Sequence, residues 1–200
     1  MSLPCVEVAV APANEAFLAN PKDKSLVQPA LDLLKSSKGL IKIYYGQESE
    51  DPRRSTYTTV IWEELQDHRN LQADPVQYPI LGKHTQHVIH IQPLAEPYKA
   101  LEAPATELAY MKVIPGVSKE ILENQLDGLV KAVNGLPESH GAISAVWGPT
   151  VEDDDTLELD TARQAHWNAV KTVPDLIQRL KDIREIATIG LTHQLLAPYN

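Results

Sequence analysis

The sequence predicts an α+β protein made of two copies of one β-α-β-β-α-β unit, and three observations carry that reading. The stretch from Tyr45 through Gly46 to Asp51 returns as Trp147, Gly148 and on to Asp153, at an offset of 102 residues. Glu7, set among Val6, Val8, Ala9 and Val10, is matched at an offset of 100 by Glu107, set among Thr106, Leu108 and Ala109. His68 followed by Pro75 is matched by His166 followed by Pro174, at offsets of 98 and 99. Landmarks in one order at a nearly constant offset mark a duplicated unit of about half the chain.

Each element of the unit has a local cause. Residues 5–11 alternate Glu with Ala and Val, the period of a strand. Leu26, Ala30 and Leu34, with Val27 and Leu31 beside them, form one face of a helix, which the run from Ser36 to Gly39 stops. Residues 40–46 and 56–62 are rich in β-branched and aromatic side chains, and the turn from Asp51 to Arg54 joins them. A helix over about 64–73 breaks at Asp74 and Pro75, a further brief helical piece follows, and residues 86–92 form a fourth strand. In the second copy, residues 108–114 are a strand, and 118–133 are a helix begun by Ser118, with Leu122, Leu126, Leu129, Val130 and Val133 on its apolar face. Gly135 and Pro137 end that helix. Strands over 143–148 and 156–160, a helical region over 161–185 interrupted near Pro174, and a strand over 187–195 complete the copy. This order is the ferredoxin-like fold, a four-stranded antiparallel sheet with its helices on one face. Two such units cover each other by packing sheet to sheet around a barrel-like cavity. The expected division is residues 1–97 and 98–200, with the proline-interrupted stretch from Pro93 to Pro104 as linker.

Composition narrows the partners. With 27 acidic and 18 basic residues the net charge is −9, which repels a phosphate backbone, so nucleic acid is not an expected partner. No run approaches the roughly 20 apolar residues that span a bilayer, and the N-terminal residues lack a signal-peptide pattern, so a cytoplasmic location without membrane association is expected. Cys5, the single cysteine, reads as a small packed side chain rather than a nucleophile.

The run Ile43 to Gly46, then Tyr57 to His68, then Asp74 and Pro75, resembles the dimeric α+β barrel superfamily. Residues 100–107 and 145–153 are similar, more narrowly, to its tandem, single-chain members found in fungi. The resemblance covers nearly the whole chain and implies the barrel architecture. It spans many activities, including antibiotic-biosynthesis monooxygenases, polyketide cyclases, stress-responsive proteins and haem-degrading oxygenases. In the plant polyketide cyclases a catalytic His follows the proline matching Pro75 by two residues and a Tyr shortly precedes it. Here Gln77 and Leu71 stand at those places.

The candidate chemistry rests on histidines and aromatics. His84, His87 and His90 recur every third residue, but neither a strand nor a helix brings all three to one ion, so no metal site is expected from them. His87 and His68 are the candidate bases, because an imidazole titrates near neutrality. Tyr45 is the candidate hydrogen-bond donor, while Tyr57, Trp62, His90, Trp147 and His166 are expected to line the ligand site. Glu7 and Glu107 face either a cavity or an exposed edge. The expectation is a protein that binds an apolar, aromatic or polyketide-like small molecule. If it is an enzyme, it is a cofactor-independent monooxygenase or cyclase. Non-catalytic ligand binding and haem binding are the alternatives. It is expected as a monomer enclosing a pseudo-dimeric barrel, or as a homodimer.

Overall fold

The computed structural model describes residues 2–20, 23–51, 55–82, 85–152, 156–163 and 172–199. Its strands pair antiparallel, with helices on the sheets, and the chain separates into two units. Unit 1 comprises Met1–Gln92 together with Gln194–Asn200, and unit 2 comprises Pro93–His193. The C-terminal residues Gln194–Asn200 thus belong with the first unit.

Unit 1 begins with β1 (Cys5–Pro12), followed by the short α1 (Glu15–Ala19), whose first turn the Asn14 side chain caps at Phe17. Then come α2 (Gln28–Lys35), β2 (Leu40–Glu48), β3 (Ser55–Trp62), α3 (Leu65–Gln72), α4 (Tyr78–Gly82) and β4 (His87–Ile91). The strand order is β4-β1-β3-β2, and residues 194–198 of the final strand, β8 (Ala187–Pro198), pair with β2 at its outer side. Alternation along the strands sorts side chains to two faces. Cys5, Val60 and Trp62 pack under Leu31 and Leu34 of α2 and Leu71 of α3, forming the helix-side core. Val6, Val8, Tyr44 and Ile61, on the opposite face, are also fully buried.

Unit 2 carries α5 (Tyr98–Leu101), β5 (Thr106–Val113), α6 (Lys119–Asn134), β6 (Ala142–Pro149), β7 (Thr156–Arg163) and α7 (Pro174–Ile186). Its strands run β8-β5-β7-β6. The apolar face read from the sequence does pack: Leu122, Leu126, Leu129 and Val133 of α6 are buried with Ala109, Met111 and Trp147. Ser118 stands at the N-cap of α6 but makes no side-chain capping bond. Asn134, at the other end, holds both the N–H and the carbonyl of Ala145, where the β6–β7 register shifts.

Two local expectations change. Residues 161–163 are strand rather than helix, because Thr161 and Ala162 complete the ladder to Glu107 and Thr106. The expected interruption near Pro174 is present: Thr172 is helical, Val173 is not, and α7 starts at Pro174, at a position whose missing N–H has no intrahelical partner to lose. Part of the stretch expected as linker, Tyr98–Leu101, forms α5, with Ala100 and Leu101 buried.

Candidate functional site

The site grows from strand register in unit 1. Antiparallel pairing sets Glu7 of β1 directly opposite His90 of β4 on one side and Val60 of β3 on the other, so all three side chains share a face. Trp62 lies two residues beyond Val60 on that same helix-side face. The chain then turns into α3, which brings His68 down over the sheet. Gly39 makes room for that helix: it has φ 75°, and an added Cβ would stand 2.1 Å from the Asp67 carboxyl.

Glu7, His68 and His90 are 5%, 2% and 4% exposed. A carboxylate so deep in an apolar region is costly unless partnered. Trp62 donates its Nε1–H to Glu7 Oε2 at 2.7 Å, and His68 Nδ1 stands 3.4 Å from the same oxygen. His68 Nδ1 and His90 Nε2 face each other at 2.5 Å. The His68 ring stacks on Trp62, with centroids 5.3 Å apart and planes 14° from parallel, which fixes its orientation.

A cavity of about 100 Å³ reaches this cluster, lined by Glu7, His68, Thr58, Tyr78 and Leu81. A larger one of about 350 Å³, lined by Phe17, Val27, Tyr45 and Tyr57, shares Ala30, Leu31, Thr58, Leu81 and Thr85 with it. The two are adjoining, and the arrangement is an apolar passage with a polar, ionisable end. It can hold a flat apolar molecule and exchange a proton with it.

The structure thus brings His68, His90 and Trp62 together and sets Tyr45 and Tyr57 along the adjoining cavity. His87 pairs with Val10, is exposed, and belongs to the opposite face of β4 from His90. Trp147 is buried in the unit 2 core, where its Nε1–H bonds Asp127 Oδ1 at 2.9 Å. His84 and His166 lie outside the described residues. Glu7 is the member that sequence reasoning left undecided. Its signal was a lone acid in an apolar strand, repeated at Glu107.

Unit 2 has a related pair. Glu107 is buried, and His193 Nε2 lies 2.8 Å from its Oε2. Burial pushes the His193 imidazole below its usual range even beside a carboxylate, which acts in the other direction.

No protein-family model matches the chain, and no curated protein matches it in sequence. Solved structures do match its fold. A protein provisionally named a monooxygenase from Fusobacterium nucleatum aligns over 100% of this chain and 95% of its own, at TM-score 0.67 and 10% identity. An anthrone oxidase-like protein covers 97% of this chain and 91% of its own, at TM-score 0.65 and 12% identity. A mutant chlorite dismutase from Candidatus Nitrospira defluvii covers 97% and 92%, at TM-score 0.60 and 12% identity. The likeness to these proteins is one of fold. Among the described residues, no helix is long and apolar enough to cross a membrane.

Proposed function

We propose that unit 1 binds an apolar, aromatic or polyketide-like small molecule in the adjoining cavities and that His68 removes a proton from it. The observation that carries this reading is the buried Glu7–His68–His90 cluster at the closed end of an apolar passage. With Nδ1 directed at Glu7 and His90, the remaining ring nitrogen of His68, Nε2, is the one that acts as base. Glu7 orients the ring and stabilises the imidazolium formed, and Trp62 holds Glu7. Tyr45 hydrogen-bonds a ligand oxygen in the larger cavity. The substrate this suits carries an acidic C–H beside a carbonyl or on a phenolic ring. Loss of its proton leaves a carbanion or enolate, which either reacts with dioxygen or closes a ring on a second carbonyl of the same molecule. No dedicated organic cofactor is required for the proton transfer. The anthrone oxidase-like fold neighbour is compatible with such a substrate.

Haem is the alternative occupant of the larger cavity, whose described lining offers iron the phenols of Tyr45 and Tyr57. An absorbance scan checks it, a Soret band being the result that favours haem. We also propose that the chain is a tandem of two ferredoxin-like units, 1–97 and 98–200 in sequence terms, closed sheet to sheet as one pseudo-dimeric barrel. Cytoplasmic location, and absence of nucleic-acid and membrane partners, belong to the same reading.

The test is to identify the small molecules that copurify with the full chain, then to assay binding and turnover in wild type and His68→Gln. Binding retained with turnover lost supports the base. Unchanged turnover in folded His68→Gln overturns it, and binding without turnover in the wild type makes the protein a ligand carrier.

A further inference from the structure

We infer that Glu7, His68 and His90 form a binding site for one divalent transition-metal ion of the zinc type. Two of the donors come from adjacent strands at directly opposed positions, and the third comes from the helix laid across them. One donor atom from each side chain lies within 4.8 Å of the others. Two imidazoles and a carboxylate are a donor set suited to zinc, cobalt or iron, with further coordination positions left for other ligands. Around a tetrahedral ion with bonds of about 2.0–2.1 Å, donor atoms stand roughly 3.4 Å apart. The Glu7 to His68 separation is already 3.4 Å, while His68 and His90, at 2.5 Å, must separate by roughly 1 Å, a small side-chain rotation for each ring. Trp62 supplies the outer partner that metal-binding carboxylates characteristically have, its Nε1–H fixing Glu7 Oε2 at 2.7 Å. Both Glu7 and His68 border the smaller cavity, which gives the ion an entry path and room for water as a further ligand.

The site is separate from the regular His84, His87, His90 spacing. That pattern lends it only His90, since His87 lies on the other face of β4. Metal binding does not depend on the small-molecule reading, although the two interact. An ion on His68 Nδ1 leaves the ring proton on Nε2, so loading with metal and proton abstraction by His68 exclude each other.

The experiment is equilibrium dialysis of the full chain against Zn²⁺ and against Co²⁺, without substrate, after chelator treatment. Metal content, the visible absorption of the cobalt form and the thermal midpoint are read. The expected result is one ion per chain, four-coordinate cobalt absorption and a raised midpoint. Glu7→Gln and His90→Ala should each lose the stoichiometric ion, whereas His87→Ala should bind as wild type does. Trp62→Phe should weaken binding by about 10- to 100-fold. Less than one ion per chain, or cobalt absorption that stays that of the hydrated ion, overturns the site. So does an ion retained undiminished in folded His90→Ala, which would place it elsewhere as an adventitious ion only. If the ligand variants fail to fold, the wild-type cobalt spectrum still decides the question. Small-molecule binding measured in chelator tests the other reading separately.

Discussion

At the scale of single residues, the cluster around Glu7 has a clear hierarchy. Trp62 is fully buried and its indole N–H is a hydrogen-bond donor to the Glu7 carboxylate. Trp62→Phe keeps most of the ring and leaves that buried acceptor short of a donor, so a loss of about 1–3 kcal/mol is expected in denaturant melts. His87→Ala removes only an exposed ring, and its midpoint should move by no more than about 0.5 kcal/mol. Tyr199 offers a pH handle of another kind. Its hydroxyl donates to Asp32 Oδ1 at 2.6 Å, and that bond, with burial and the nearby Asp32 charge, pushes the phenol up to about 12. Because the folded value is raised, the stabilisation is fully present below the ordinary phenol range near about 10 and is lost as pH rises through the folded value. A spectrophotometric titration should show one tyrosine ionising late, and Tyr199→Phe should remove that late step.

At the scale of elements, Gly46 is the position that lets β8 join β2. A Cβ there would stand 2.0 Å from the carbonyl oxygen of Leu195, which no rotamer relieves. Gly46→Val should therefore cost roughly 1–3 kcal/mol and raise hydrogen exchange selectively over residues 194–198. An unchanged midpoint with unchanged exchange would remove this account. The aromatic-glycine repeat in the sequence pointed to the position and to close backbone approach, but the identity of the approaching strand lay about 150 residues further along. Likewise, His68 read as a candidate base on the more apolar side of its helix. Its partners are on β1 and β4, and no local pattern names them.

At the scale of the molecule, unit 1 is discontinuous, and its sheet takes its last strand segment from residues 194–198. Ending the chain at His193 should uncover the outer side of β2, an unpaired edge prone to association. Size-exclusion chromatography should find this truncated chain aggregated or self-associated, and its melting midpoint should fall. A fragment of residues 1–97 should behave likewise, because it lacks the same segment. A monodisperse, stable monomer from either would count against this arrangement.

What the sequence determined by itself was the alternation and the periodicity: which residues form β1, α2, β3 and α6, and which of their faces is apolar. These follow from local spacing, since side-chain direction repeats every two residues in a strand and every 3.6 in a helix. The tertiary structure alone decided that Glu7, Trp62, His68 and His90 meet. That meeting depends on which strands are neighbours and in what register, and a one-residue slip would turn Glu7 or His90 to the other face. Register is set by the summed packing of the whole sheet against its helices. It is therefore a property of contacts far apart in the chain, and no local spacing records it.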